Sequence, residues 1–209
     1  MNQINRLHDQ HLHTKYSLDS KEDLENYKLA SELNCSYIIT TEHIEFDSVY
    51  NNQDWIVDFD ALKNNLDSLN NKYPNVTPLL GVEVGYRKDH LTDMDKLISS
   101  QNFDLVNMSI HDNGKYDYYM KKDYEALGID KMLDIYFNNA IDGVKTYKNY
   151  DVLSHIDYGF KTAYILDNTL NINNYKHYLK NGKEDFLIPF VYHLVVFILC
   201  AFTVVMLIL

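Results

Sequence analysis

Cysteine is almost missing from this chain: its 209 residues include two, Cys35 and Cys200. Two thiols so placed exclude a disulfide framework and zinc-knuckle spacing, and a reducing, cytoplasmic interior is expected. Basic residues are scarce as well, 19 Lys and Arg against 30 Asp and Glu, for a formal net charge of −11. A nucleic-acid backbone is held by clustered Lys and Arg that release counterions, so no nucleic-acid partner is expected and a small soluble substrate takes its place. The N-terminus, Met1-Asn2-Gln3-Ile4-Asn5-Arg6, lacks the apolar stretch of an export signal. Low glycine (7) and proline (3) fit a compact domain better than a disordered chain.

The hydrophobic fraction, 46%, supplies one substantial core, hence one domain with at most an appendage. Short apolar runs alternate with amphipathic stretches, the pattern of βα units around a parallel sheet. Strands are expected at about 7–13, 37–41, 78–84, 104–110 and 151–156. Helices are expected at 21–34, with Leu24, Tyr27 and Leu29 to Leu33 on the apolar face and Ser20 near its cap, and at 58–73, where Phe59, Leu62, Leu66 and Leu69 recur at helical spacing before Pro74. A third, 130–147, buries Met132, Leu133, Tyr136, Phe137, Ala140 and Val144. The polar, tyrosine-rich segment 112–125 reads as a loop over a site.

Each expected strand finishes in, or just before, a polar group: Asp9-Gln10-His11-Leu12-His13-Thr14, Thr41-Glu42-His43, Gly81-Val82-Glu83, Ser109-Ile110-His111 and Ser154-His155-Ile156-Asp157. His11 and His13 stand two apart, so on a strand both imidazoles face one side and can reach one ion. Taken singly, His43 reads as a turn residue, His111 as a loop residue, His155 as a satisfied core histidine and Glu83 as a solvated carboxylate. Together they need partners, because charged groups at the ends of core strands are costly alone. Strands of a parallel barrel present their C-terminal ends to one face, where such ligands converge as a multinuclear metal site. Arg87 and Lys161 are candidates for phosphate contact, set against ordinary surface charges. Tyr116, Tyr118, Tyr119 and Tyr158 are candidates to line the pocket.

These motifs, with Ser17-x-Asp19, resemble those of the polymerase and histidinol phosphatase (PHP) superfamily over about residues 5 to 185. Within it, Ser-Ile-His-Asp and Asp-Val-Leu-Ser-His-Ile-Asp-Tyr are most similar to the monofunctional histidinol-phosphate phosphatases. The resemblance implies a distorted seven-stranded TIM-like barrel with up to three divalent ions, Zn, Mn or Fe, at its C-terminal face. It implies that His11, His13 and Glu83 bind one metal, that Glu83 bridges to a second held by His111 and His155, and that Asp19 and His43 serve a third. It further implies hydrolysis of histidinol phosphate in histidine biosynthesis, with a bridging water or hydroxide as nucleophile. A related phosphoesterase acting on a sugar phosphate or nucleotide stands as the nearest alternative.

From 186 to 209 the composition changes: these 24 residues hold no Asp, Glu, Lys or Arg. Residues 1–185 are therefore read as the phosphatase domain and 186–209 as a hydrophobic tail. At ~1.5 Å per residue a helix of that length reaches roughly 36 Å, enough for a ~30 Å hydrocarbon core, which makes membrane association one outcome and an inactive, membrane-tethered metal-binding protein one alternative function. A shifted reading frame is the preferred origin, because the break falls inside a fold element. The family's later strands and their Asp-x-His motif have no counterpart here, so the expectation is an incomplete barrel of about five strands with weakened metal binding and turnover.

Overall fold

The computed structural model describes residues 8–21 and 26–181, with the side chains of 179–181 left aside. The expected tail, its apolar helix and Cys200 lie outside the described residues. So does any strand beyond 181. No helix among the described residues is long and apolar enough to cross a membrane.

The chain divides into two compact units, one ending its segments at Ser48, Gly85 and Asn107, the other comprising Val49–Asn51, Tyr86–Leu91 and the chain from Met108 onward. The first unit carries β1 (His8–Leu12), α1 (Asn26–Glu32), β2 (Tyr37–Ser48), β3 (Gln53–Trp55), α2 (Phe59–Lys72), β4 (Thr77–Gly85), nearly all of α3 (Leu91–Ser99) and the start of β5 (Leu105–Ser109). The sheet runs β1-β2-β4-β5-β6, with β3 attached to β2; β6 is Val152–Leu153. This is an α/β fold on a five-stranded parallel sheet, as the alternating pattern predicts.

β2 is the spine of the first unit. Its register against β4 is unbroken from Tyr37 opposite Thr77 to Ile44 opposite Val84, which sets His43 directly opposite Glu83. Both strands are buried along nearly their whole length instead of at alternate residues, as in a parallel sheet covered on both faces. Gly81 lets them close up, since a Cβ there would stand 2.7 and 2.8 Å from the Thr41 and Ile39 methyls and 3.2 Å from the Leu105 carbonyl oxygen. β1 joins β2 through a register shift between Asp9 and Leu12, a bulge that re-aims the side chains which follow. α2 starts where Asp58 accepts from the Ala61 N–H at 2.9 Å and buries Phe59, Leu62 and Leu66.

Sequence periodicity misjudged three features of this unit. β2 does not stop at Thr41 but continues to Ser48, because antiparallel β3 pairs with the extension, Glu45 opposite Trp55. Of the expected 21–34 helix, Asn26–Glu32 is helical and residues 22–25, with Leu24, lie outside the described residues; Tyr27 and Ala30 are buried, whereas Leu29 and Leu33, expected on the apolar face, are exposed. α3, on Met94 and Ile98, was too short for the pattern to show.

In the second unit the Ser154 N–H donates to the Met108 carbonyl at 2.8 Å, tying β6 to β5. Around them lie α4 (Lys121–Leu127), α5 (Ile129–Thr146), α6 (Tyr158–Leu166), a 3₁₀ turn and α7 (Lys176–Asn181). α5 buries all six side chains expected of it. α4 corrects the expected loop over 112–125: one aromatic anchors it, the buried Tyr124, whose hydroxyl donates to the Gly159 carbonyl at 2.8 Å. Gly128, at φ 85°, makes the turn from α4 into α5.

A pH effect follows from α7. The Tyr178 hydroxyl donates to Asp134 at 2.5 Å and holds that carboxyl below its ordinary value. Burial, with Asp134 as neighbour, pushes the phenol up to about 12. A depressed carboxyl stabilises the fold above its unfolded value and loses that contribution as pH falls through the folded one. Tyr178→Phe is therefore expected to raise the Asp134 pKa in an NMR titration, and to cost less stability below the ordinary carboxylate range than at neutral pH.

Candidate metal centre

The bulge in β1 and the central position of β4 bring three side chains of the first unit to one point. His11 Nε2 stands 2.5 Å and His13 Nε2 3.1 Å from the same Glu83 oxygen, and the two nitrogens are 2.9 Å apart. Glu83 is fully buried; each imidazole keeps about a quarter of its side chain exposed, 27% and 23%. Within β1 the Asp9 carboxylate accepts from the His11 N–H at 3.0 Å.

His43 lies flat on His13, the rings 4.1 Å apart and within 2° of parallel. Its Nε2 is 3.5 Å from the Asp19 carboxylate, and its Nδ1 is 3.8 Å from Glu45 and 3.9 Å from Glu83. One ligand atom each from His13, His43 and Glu83 falls within a 4.8 Å span. Donors about 2.0–2.2 Å from a tetrahedral ion stand roughly 3.4 Å apart, and the three imidazoles, at 2.5, 3.1 and 3.9 Å from one buried carboxylate, bracket that spacing, which fits a divalent cation. Hard carboxylate and borderline imidazole together suit zinc, iron or manganese. Thus the structure brings together five of the seven expected ligands, His11, His13, Asp19, His43 and Glu83, within the first unit.

The remaining two, His111 and His155, meet in the second unit. Their rings stack at 5.2 Å, and Tyr158 packs against both, at 4.8 and 5.2 Å. Ser109 lies 3.4 Å from His111 Nδ1. His155 takes a positive φ of 24°, unusual for a residue with a Cβ, and the Tyr136 hydroxyl braces that turn by donating to the Ile156 carbonyl at 2.9 Å. Of the other tyrosines proposed for a pocket, Tyr118 is a core residue and Tyr119 is exposed.

Arg87 is neither a surface charge nor placed as a free phosphate contact. It is buried, its guanidinium bonded to Asp89 at 2.9 and 3.1 Å and facing Asp112 at 3.4 Å, with Gly114 closing over it. Arg87 in turn holds the Asp89 carboxyl below its usual range. Lys161 is exposed in the first turn of α6. Two acids were given no role from sequence, Glu42 and Glu45, both buried on β2. Glu45 stands two residues from His43 and so shares its face of the strand; a longer β2 would have revealed it.

The fold and the grouping of His11, His13 and His43 about Glu83 put this chain in the class of α/β domains that carry a histidine–carboxylate cluster on a parallel sheet. Within that class, the sequence matches the PHP domain over residues 9–186, and the chain belongs to that family. It is 31% identical over 172 residues to a protein of Clostridium acetobutylicum named "Probable histidinol-phosphatase", covering 82% of this chain and 65% of that one. The chain thus spans just under two thirds of that relative's length. In structure it resembles the histidinol phosphate phosphatase of Lactococcus lactis subsp. lactis, crystallised with zinc, L-histidinol and phosphate. The TM-score is 0.68 at 23% identity, covering 74% of this chain and 59% of that one, a likeness of fold.

Proposed function

We propose that this chain is a metal-dependent phosphomonoester hydrolase whose substrate is histidinol phosphate, released as histidinol and phosphate. The observation that carries the reading is the meeting of His11, His13 and Glu83 within 3.1 Å of one another, around a fully buried carboxylate. The relative's name and the ligands of the L. lactis enzyme support the substrate.

His11, His13 and Glu83 would hold one ion, Asp19 and His43 another, and His111 and His155 are proposed as ligands too. Bound divalent ions supply a lowered pKa for water and neutralise charge on a phosphoryl group in transfer. The protein's share is to orient these donors and to keep Glu83 out of bulk water, so that its charge is less screened. Lys161 is retained as a phosphate contact by proposal, whereas Arg87 is committed to its carboxylates.

The test is phosphate release by the metal-stripped chain as zinc, manganese or iron is restored. Release from histidinol phosphate should follow added metal and vanish with a chelator. A preference for a sugar phosphate or nucleotide would keep the reaction and change the substrate. Absence of metal-dependent release from all three would contradict the reading. The expected loss of turnover rests on positions from 182 onward, outside the described residues.

A further inference from the structure

Glu42 is a fully buried carboxylate inside β2, next in sequence to His43 and without a place in the ligand set. A charge there is costly unless it is fully hydrogen-bonded. Among the described residues, its hydrogen-bond donors come from the loop after β1. The Thr14 N–H donates to both carboxylate oxygens, at 3.1 and 3.0 Å, and the Thr14 hydroxyl donates to Oε1. The Ser17 hydroxyl donates to Oε2 at 2.5 Å and accepts from the His43 N–H at 2.9 Å.

These bonds have a direction. Thr14 follows His13, Glu42 precedes His43, and Asp19 lies two residues beyond Ser17. One carboxylate therefore ties the segment bearing His13 and Asp19 to the strand bearing His43, at the point where the two imidazoles stack 2° from parallel. We propose that Glu42, with Thr14 and Ser17, is the positioning device of the metal centre, setting the relative placement of His13, Asp19 and His43. This rests on the metal-dependent reading above.

The device needs a carboxylate. Three donors converge on its two oxygens, and charge-assisted bonds to a carboxylate are roughly twice as strong as neutral ones. A glutamine of equal size has one acceptor, and its amide would turn N–H groups toward a hydroxyl or main-chain donor. Partners that orient metal ligands typically change affinity about 10–100-fold when removed.

The test compares zinc affinity, by competition with a chromophoric chelator, together with the cobalt(II) absorption spectrum and the melting temperature of the metal-free chain. Glu42→Gln and Thr14→Val should each weaken zinc about 10–100-fold and alter the cobalt spectrum, whereas Thr14→Ser, which keeps both donors, should retain wild-type values. Thr14→Val decides the matter if Glu42→Gln fails to fold. Wild-type affinity and spectrum in the folded variants, with or without a lower melting temperature, would overturn the positioning role. If the unaltered chain binds zinc no better than Glu83→Gln, the underlying metal reading fails instead.

Discussion

Glu83→Gln is expected to weaken zinc or manganese binding by more than ~100-fold, beyond the loss typical of a residue that merely orients a ligand. Metal-dependent phosphate release should fall with it. The reason is position: the Glu83 carboxylate is fully buried and lies within 3.9 Å of His11, His13 and His43, so it is the donor common to the whole cluster. Glutamine keeps the volume and removes the charge. The metal-free variant should melt no lower than the unaltered chain, because a carboxylate buried without its metal is costly to desolvate. Calorimetric titration and thermal melting on the same samples check both halves. A large fall in melting temperature without metal would make Glu83 a packing residue first.

The largest effect on stability is expected from Tyr136→Ala, a loss of about 3–5 kcal/mol, in the range of other large-to-small aromatic truncations. Tyr136 is completely buried on α5, and α6 packs so closely on its face that a Cβ at Gly159 would stand 2.6 Å from the ring. Burial also pushes its phenol far above the usual range, so it acts as a neutral donor at any working pH. Tyr136→Phe separates the two roles. It keeps the ring and strips the donor from the Ile156 carbonyl, at a cost of about 1–3 kcal/mol. Denaturant unfolding gives both values. Because that hydroxyl braces the positive-φ turn at His155, the Phe variant should also shift the His155 ring resonances, whereas an effect of packing alone would leave them in place.

Much of this was legible from the chain. The strands near His11, Glu83 and His111 and the helices α2 and α5 follow from period alone, because their apolar residues are bulky, regularly spaced and bounded by Asp58, Pro74 or a polar motif. The spacing of His11 and His13 and the recurrence of His or Glu at strand ends pointed to the residues that cluster around Glu83. What stayed hidden depends on tertiary partners. The run of β2 to Ser48 is decided by β3, and its polar letters, Thr-Glu-His-Ile-Glu, do not look like a core strand. α4 hangs on the single buried Tyr124. Arg87 became a buried ion pair through Asp112, 25 residues away in sequence, which no local pattern discloses. Glu42 was hidden for the same reason, its donors lying 25 and 28 residues earlier.

The most direct measurement is anomalous diffraction from crystals of the chain loaded with zinc or manganese. The account predicts an ion bonded to Glu83 and to Nε2 of His11 or His13, at about 2.0–2.2 Å for zinc. An ion bound only elsewhere, or none at saturating metal, would contradict it.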